Sequence, residues 1–125
     1  MIKKYLLTGI LILALDSIYL NLSKHLFIKQ IKIIQKEPFK LNIYSAIVCY
    51  ILLTLGIYYF VIQKNLSYKE AFLLGFIIYG IFDTTTMSIF KDWNPSIALL
   101  DTFWGGILFT LVLFIYKKIE KYTYK

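Results

Sequence analysis

Three aspartates interrupt the long apolar stretches of this chain, and their chemistry needs an explanation. Asp16 lies in the first stretch, while Asp83 and Asp101 stand on either side of a short polar corner around Trp93. A carboxylate inside a membrane-spanning segment is costly, and such residues commonly mark functional sites. Carboxyl groups can share protons for relay or acid–base work, and their oxygens can bind a hard cation such as Mg²⁺ or Ca²⁺.

The composition places these aspartates in a membrane protein. Hydrophobic residues make up 59 % of the 125 residues, and the mean hydropathy is +0.69. Soluble domains are typically about 45–50 % apolar, and a chain this short has too little interior to bury the excess. We therefore expect an integral, multi-pass membrane protein whose main partner is the lipid bilayer.

The charged residues lie mostly between and beyond the apolar stretches. The formal net charge is +7, and every basic residue is a lysine. This pattern favours contact with anionic lipid headgroups and speaks against nucleic-acid binding, which would need a basic patch on a globular domain. The positive-inside rule favours a cytoplasmic location for both termini. Aromatic residues near the ends of the apolar stretches suit the membrane interface: Trp93, Tyr116, Tyr122 and Tyr124.

Four apolar stretches have the length and composition of transmembrane helices, and together they predict one transmembrane domain over residues 1–125. The predicted spans cover residues 5–22, 43–62, 70–90 and 95–116. Asn94 is the expected N-cap of the last span, with Pro95 as its first residue. Short connections predict an all-α, up-down antiparallel bundle of four transmembrane helices.

The segment from Lys24 to Lys40 carries too many charges to span a membrane. Its apolar residues lie largely on one side of a helix, and its lysines lie mostly elsewhere. This pattern predicts a separate basic helix that lies in the membrane interface between helices 1 and 2 and ends at Glu37-Pro38.

The up-down topology brings the three aspartates to a similar depth. Counted along the helices, Asp16, Asp83 and Asp101 lie roughly 9–12 Å below the same membrane face. On helix 1, Ile12 and Ser23 share the face of Asp16, so we expect this face to point into the bundle. Polar and aromatic residues of the same membrane half complete the predicted ligand- or proton-binding pocket: Tyr19, Tyr79, Thr85, Thr86 and Trp104.

The predicted spans contain no lysine or histidine that could neutralise these acids. Two carboxylates about 4 Å apart repel by about 4 kcal/mol at an effective dielectric constant of about 20. At least one of them should therefore hold a proton at neutral pH, or a divalent cation should lie among Asp16, Asp83 and Asp101. The competing interpretation is structural, with protonated aspartates bonded to neighbouring helices.

These motifs resemble those of a four-span membrane protein family known as domain-of-unknown-function family 2177. The matching features are Leu15-Asp16, then Tyr79 with Asp83-x-Thr85 and the following Trp93, and finally Asp101-x-x-Trp104-Gly105. The resemblance covers nearly the whole chain. It implies a four-span fold and groups Asp16, Asp83 and Asp101 as a set, and it implies no particular activity.

The sequence is compatible with three functions. The first is a small transporter or channel-like protein for a proton, a cation or a small solute. The second is a membrane-embedded enzyme or lipid-binding protein with a pocket open to one leaflet, although no nucleophile–base pair points to a reaction. The third is an accessory subunit of a membrane complex, and a homo-oligomer is an alternative assembly.

Overall fold

A computed structural model describes residues 2–36 and 42–123, which form four long helices. Helix α1 covers Ile2–Gln35, and α2 covers Ile43–Ile57 and continues as a π-helical segment, Tyr58–Ile62. Helices α3 and α4 cover Tyr68–Ile89 and Pro95–Thr123. Each of the four is long and apolar enough to cross a membrane. The prediction of an all-α protein with four candidate membrane-spanning helices is therefore confirmed.

The basic segment after the first apolar stretch does not form a separate helix in the described residues. Helix α1 continues without interruption to Gln35, because no glycine or proline lies between Asp16 and Gln35. Its buried face also continues, through Ser23 to Gln30. A positive φ of 61° at Lys36 follows the end of the helix. The predicted end at Glu37-Pro38 lies outside the described residues.

Helix α4 begins where the sequence predicts, because a side-chain cap and a proline coincide there. The side-chain oxygen of Asn94 accepts a hydrogen bond from the backbone N–H of Ser96 at 2.8 Å. Pro95 is the first helical residue, where its missing N–H removes no helical bond. The corner between α3 and α4 is thus short, and the two helices run antiparallel.

Helices α3 and α4 form the most extensive contact of the bundle, and glycines set their separation. A Cβ atom on Gly105 would lie 2.5 Å from the backbone oxygen of Gly75, and one on Gly75 would lie 2.9 Å from the ring of Phe109. The two backbones therefore touch at this crossing, as small residues allow in membrane bundles. This contact fixes which residues of the two helices face each other further along.

Helix α4 also packs against α1, and α1 packs against α2, while α2 and α3 touch only sparsely. The apolar core lies in the half of the bundle that contains the beginning of α1 and the end of α4. It is formed by nine residues: Ile12, Leu53, Ile57, Val61, Ala71, Leu108, Phe109, Val112 and Leu113. The aspartates lie beyond this core, in the half next to the α3–α4 corner.

The sparse contact between α2 and α3 leaves a groove that opens to the side of the bundle. Its volume is about 720 Å³. The lining comes from six residues of α2 and one of α3: Tyr44, Ser45, Val48, Cys49, Leu52, Leu53 and Ile78. The groove lies at the level of Tyr50, in the same half of the bundle as the aspartates.

Candidate functional site

Asp16 accepts hydrogen bonds from two other helices. The indole N–H of Trp104 on α4 donates to Asp16 Oδ1 at 2.9 Å, and the hydroxyl of Tyr50 on α2 donates to Asp16 Oδ2. The side chain is buried, with 6 % of its surface exposed. Each oxygen of this carboxyl group therefore has its own donor, an arrangement that suits an ionised carboxylate.

Asp83 and Asp101 form a separate pair across the α3–α4 contact. Asp83 lies about 9 Å along α3 from its end at Ile89, and Asp101 lies about as far along α4 from Pro95. Their carboxyl groups are adjacent and interact. Asp83 is fully buried, with 0 % of its surface exposed, and Asp101 has 7 % exposed. The close approach at Gly75 and Gly105 holds the two helices at the separation that this pairing requires.

The two members of the pair have different neighbours. The hydroxyl of Tyr19 donates to Asp101 Oδ1 at 3.1 Å. The Thr102 hydroxyl lies 3.5 Å from Asp83 Oδ2 and only 2.8 Å from the carbonyl oxygen of Ala98. The other oxygen of Asp83, Oδ1, is buried without a hydrogen-bond partner. Asp83 is thus the less well bonded of the two.

An aromatic stack joins the Asp16 site to the aspartate pair. The rings of Tyr19 and Trp104 are parallel within 5°, with their centroids 4.6 Å apart. Tyr19 bonds to Asp101 and Trp104 bonds to Asp16, so the stack lies between the two sites. Five of the predicted pocket residues therefore lie together in the structure: Asp16, Tyr19, Asp83, Asp101 and Trp104.

The remaining three predicted residues take other positions. Tyr79 is partly buried, and its side chain packs closely on Gly105. A Cβ atom added to Gly105 would lie 2.6 Å from the Cβ of Tyr79. It therefore forms part of the wall of the site. Thr85 is exposed on α3, and Thr86 donates its hydroxyl to the carbonyl of Phe82 at 2.7 Å. These two threonines are not brought to the carboxyl groups.

Three further residues contribute to the site. The sequence places Tyr50 in the same membrane half as the predicted pocket, and Thr102 directly follows Asp101 in the chain. Trp93 lies in the α3–α4 corner and is buried, with 9 % of its surface exposed. It lies beside Asp83, while the ring of Phe82 contacts it edge-on with centroids 6.4 Å apart.

The three predicted carboxyl ligands are divided into one single group and one pair. Asp16 directs its oxygens to Tyr50 and Trp104, whereas Asp83 and Asp101 face each other. Within residues 2–36 and 42–123, no three His, Cys, Asp or Glu side chains are grouped so that they could hold a metal ion. In that part of the chain, the lysines and the histidine all lie outside the buried interior.

The fold and the buried acids define an integral, multi-pass membrane protein with four candidate spans. A family model described as predicted membrane protein (DUF2177) matches residues 1–115, and the chain belongs to this family. The sequence-based resemblance is thereby confirmed. Comparisons with curated proteins and with solved structures give no match.

Proposed function

We propose that this membrane protein binds and releases a proton at the Asp83–Asp101 pair. The observation that carries the proposal is the burial of two adjacent carboxyl groups without a buried cation beside them in the described residues. Two carboxylates about 4 Å apart repel by about 4 kcal/mol even at an effective dielectric constant of about 20. A single proton shared between them removes this repulsion, as it does in paired-carboxylate enzymes.

The surroundings of Asp83 support a protonated group. The Thr102 hydroxyl has one proton, and its 2.8 Å contact with the Ala98 carbonyl is the shorter of its two contacts. With that proton engaged, the Thr102 oxygen is an acceptor toward Asp83. A protonated Asp83 can donate to it, whereas an ionised Asp83 cannot. The Tyr19 hydroxyl, in contrast, donates to Asp101, which suits the ionised member of the pair.

Asp16 has a different role in this proposal. Its two donors, Tyr50 and Trp104, stabilise an ionised carboxylate and leave it no need for a shared proton. Its negative charge acts directly on Asp101, the nearer member of the pair. The site thus contains one fixed acid and one exchangeable pair, both in the half of the bundle next to the α3–α4 corner. If the lysine distribution sets both termini in the cytoplasm, this half faces the opposite side of the membrane.

A second candidate function is the binding of a lipid or another amphiphile. The lateral groove between α2 and α3 supports it, because its volume of about 720 Å³ is accessible from the hydrocarbon core and lies beside Tyr50. Photoactivatable phospholipid in proteoliposomes tests this candidate, with the crosslinked peptide identified by mass spectrometry. Crosslinks concentrated on Val48 and Leu52 would support it, and crosslinks spread evenly over all four helices would contradict it.

Infrared spectroscopy of proteoliposomes tests the proton-binding proposal. A protonated carboxyl group has a carbonyl stretching band that an ionised carboxylate lacks. At neutral pH we expect this band in the wild type and in Asp16→Asn. We expect it to be lost in Asp83→Asn, because the remaining Asp101 keeps the Tyr19 hydroxyl, which stabilises its ionised form. It should persist in Asp101→Asn, because Asp83 is fully buried and a buried carboxyl group without a donor stays protonated. Absence of the band from the wild type would contradict the proposal.

A further inference from the structure

In the described residues, three side-chain polar atoms are buried without a hydrogen-bond partner. They are Nε2 of Gln30, Nε1 of Trp93 and Oδ1 of Asp83. The three residues are 4 %, 9 % and 0 % exposed, respectively. Buried polar groups are almost always hydrogen-bonded, and an unpaired one costs about 1–3 kcal/mol, so a set of three requires an explanation.

The three atoms come from elements that meet at the α3–α4 corner. Gln30 is on the part of α1 beyond Ser23, and its side-chain oxygen accepts a hydrogen bond from the backbone N–H of Asn94. This bond places the Gln30 amide at the corner, against the backbone of the residue that follows Trp93 in the chain. Trp93 in turn lies beside Asp83. The order from the corner inward is therefore Gln30, Trp93, Asp83 and then Asp101.

A pocket of about 230 Å³ adjoins Trp93 at this corner. Its walls come from the end of α1 and from the corner: Ile31, Ile34, Gln35, Phe90 and Trp93. A water molecule occupies about 30 Å³ in the liquid, so the pocket has room for several. The unpaired atoms are two N–H donors and one carboxyl acceptor, a set that water satisfies because it accepts and donates hydrogen bonds.

We propose that water molecules between Gln30, Trp93 and Asp83 form the path by which protons reach the Asp83–Asp101 pair. The inference rests on the proposed proton-binding function and adds its route, which begins at the membrane face of the α3–α4 corner. A protonated water breaks one of its O–H bonds as a new O–H bond forms at the Asp83 carboxyl group, and release reverses the transfer to the same water. The elements that line the pocket carry these exposed charged residues in the described part of the chain: Lys91 and Asp92 of the corner and Lys29, Lys32 and Lys36 at the end of α1.

The test follows the exchange of the shared proton for deuterium in wild-type proteoliposomes moved into D₂O buffer. The isotope shift of the protonated carboxyl band gives the exchange rate. Gln30→Leu and Trp93→Phe each remove one N–H donor from the path. We expect each to slow the exchange by roughly tenfold, which corresponds to the loss of one buried hydrogen bond to water.

A control variant is available in the α2–α3 groove. Cys49 lines this groove and not the corner pocket, so Cys49→Leu narrows the groove and leaves the proposed path intact. We expect its exchange rate to equal that of the wild type. Slow exchange in Cys49→Leu with wild-type exchange in Trp93→Phe would place the route in the groove and overturn the inference.

The same spectra separate the failure of the path from the failure of the proposed function. If the wild type lacks the protonated carboxyl band, or if Asp83→Asn retains it, proton binding at the pair is wrong. If the band behaves as proposed but Gln30→Leu and Trp93→Phe exchange at the wild-type rate, only the path is wrong.

Hydroxyl-radical labelling of the wild type gives a second readout that does not depend on the folding of a variant. Radicals generated in water modify side chains that contact water. Trp93 is buried but adjoins the proposed waters, whereas the indole N–H of Trp104 is bonded to Asp16. We expect faster modification of Trp93 than of Trp104. An unmodified Trp93 beside a modified Trp104 would overturn the inference.

Discussion

The rings of Tyr19 and Trp104 stack in parallel with their centroids 4.6 Å apart. The Tyr19 hydroxyl and the Trp104 indole N–H each donate a hydrogen bond to a different aspartate. Trp104 bonds to Asp16, which has a second donor in Tyr50. Tyr19 bonds to Asp101, which is one half of a carboxyl pair. The stack therefore joins two acidic groups with opposite requirements, one stabilised as a carboxylate and one stabilised by a shared proton.

Substitution of the aspartates should separate these two roles. Asp83→Asn should leave the thermal midpoint of the detergent-purified protein unchanged or raise it, because a buried carboxyl group with an unpaired Oδ1 is replaced by a neutral amide and a functional constraint on stability is relieved. Asp16→Asn should lower the free energy of unfolding by about 1 kcal/mol, since an amide presents its NH₂ group to one of the two donors. Equal losses in the two variants would contradict the distinction. Asp92→Asn, at the exposed corner, is the control.

The close contact of α3 and α4 should be intolerant of a single added methyl group. Gly105→Ala should destabilise the protein by about 1–3 kcal/mol, because the new Cβ would lie 2.5 Å from the backbone oxygen of Gly75. Gly56→Ala is the matched control, since its Cβ would lie 3.8 Å from Ile78 Cδ1, an ordinary contact. Thermal unfolding in detergent compares the two. Similar midpoints for both variants would show that the backbones do not touch at Gly105.

The continuation of α1 over the α3–α4 corner can be tested by disulfide crosslinking. In a Cys49→Ser background, Gln30→Cys with Asn94→Cys should crosslink rapidly, because the side chain of Gln30 reaches the backbone of Asn94. Lys29→Cys with Asn94→Cys is the control, since Lys29 is exposed. Electrophoretic mobility before and after oxidation gives the yields. Equal yields would indicate that this part of α1 does not pack on the corner.

Removal of divalent cations should have little effect on stability. Both oxygens of Asp16 have donors, and the neighbours of Asp83 are Asp101, Thr102 and Trp93, so EDTA should leave the wild-type thermal midpoint unchanged. A bound cation would instead add stability that grows with its concentration and is lost in EDTA. A fall in the midpoint that is absent from Asp83→Asn would favour the three-carboxylate cation site over the proton.

The sequence predicts the spans, the inward face of α1 and the common depth of the aspartates, because these features depend on local patterns. Ile12, Asp16, Tyr19 and Ser23 are all buried, as their helical spacing implies. The division of the three acids depends instead on which helices touch. Helices α3 and α4 contact each other closely where Gly75 meets Gly105. The periodicity of residues within one helix does not show which other helix it will contact.

Thr85 and Thr86 illustrate the same limit. Thr86 shares a helix face with Asp83, but its hydroxyl bonds to the carbonyl of Phe82, and Thr85 is exposed. The position of a residue along one helix does not give the partner of its side chain. The continuation of α1 was missed for a different reason. Its lysines suggested an interfacial helix, whereas the absence of a helix breaker after Ser23 and the burial of Gln30 against the corner keep it in line with the span.

The most direct test of the account is the protonation state of Asp83 and Asp101 in a membrane at neutral pH. Carbon-13 NMR of labelled aspartate carboxyl groups in proteoliposomes distinguishes protonated from ionised groups, with the exposed Asp92 as the ionised reference. The account predicts one proton on the Asp83–Asp101 pair and an ionised Asp16. Ionised signals from all of these aspartates, or a protonated Asp16 beside an ionised pair, would contradict it.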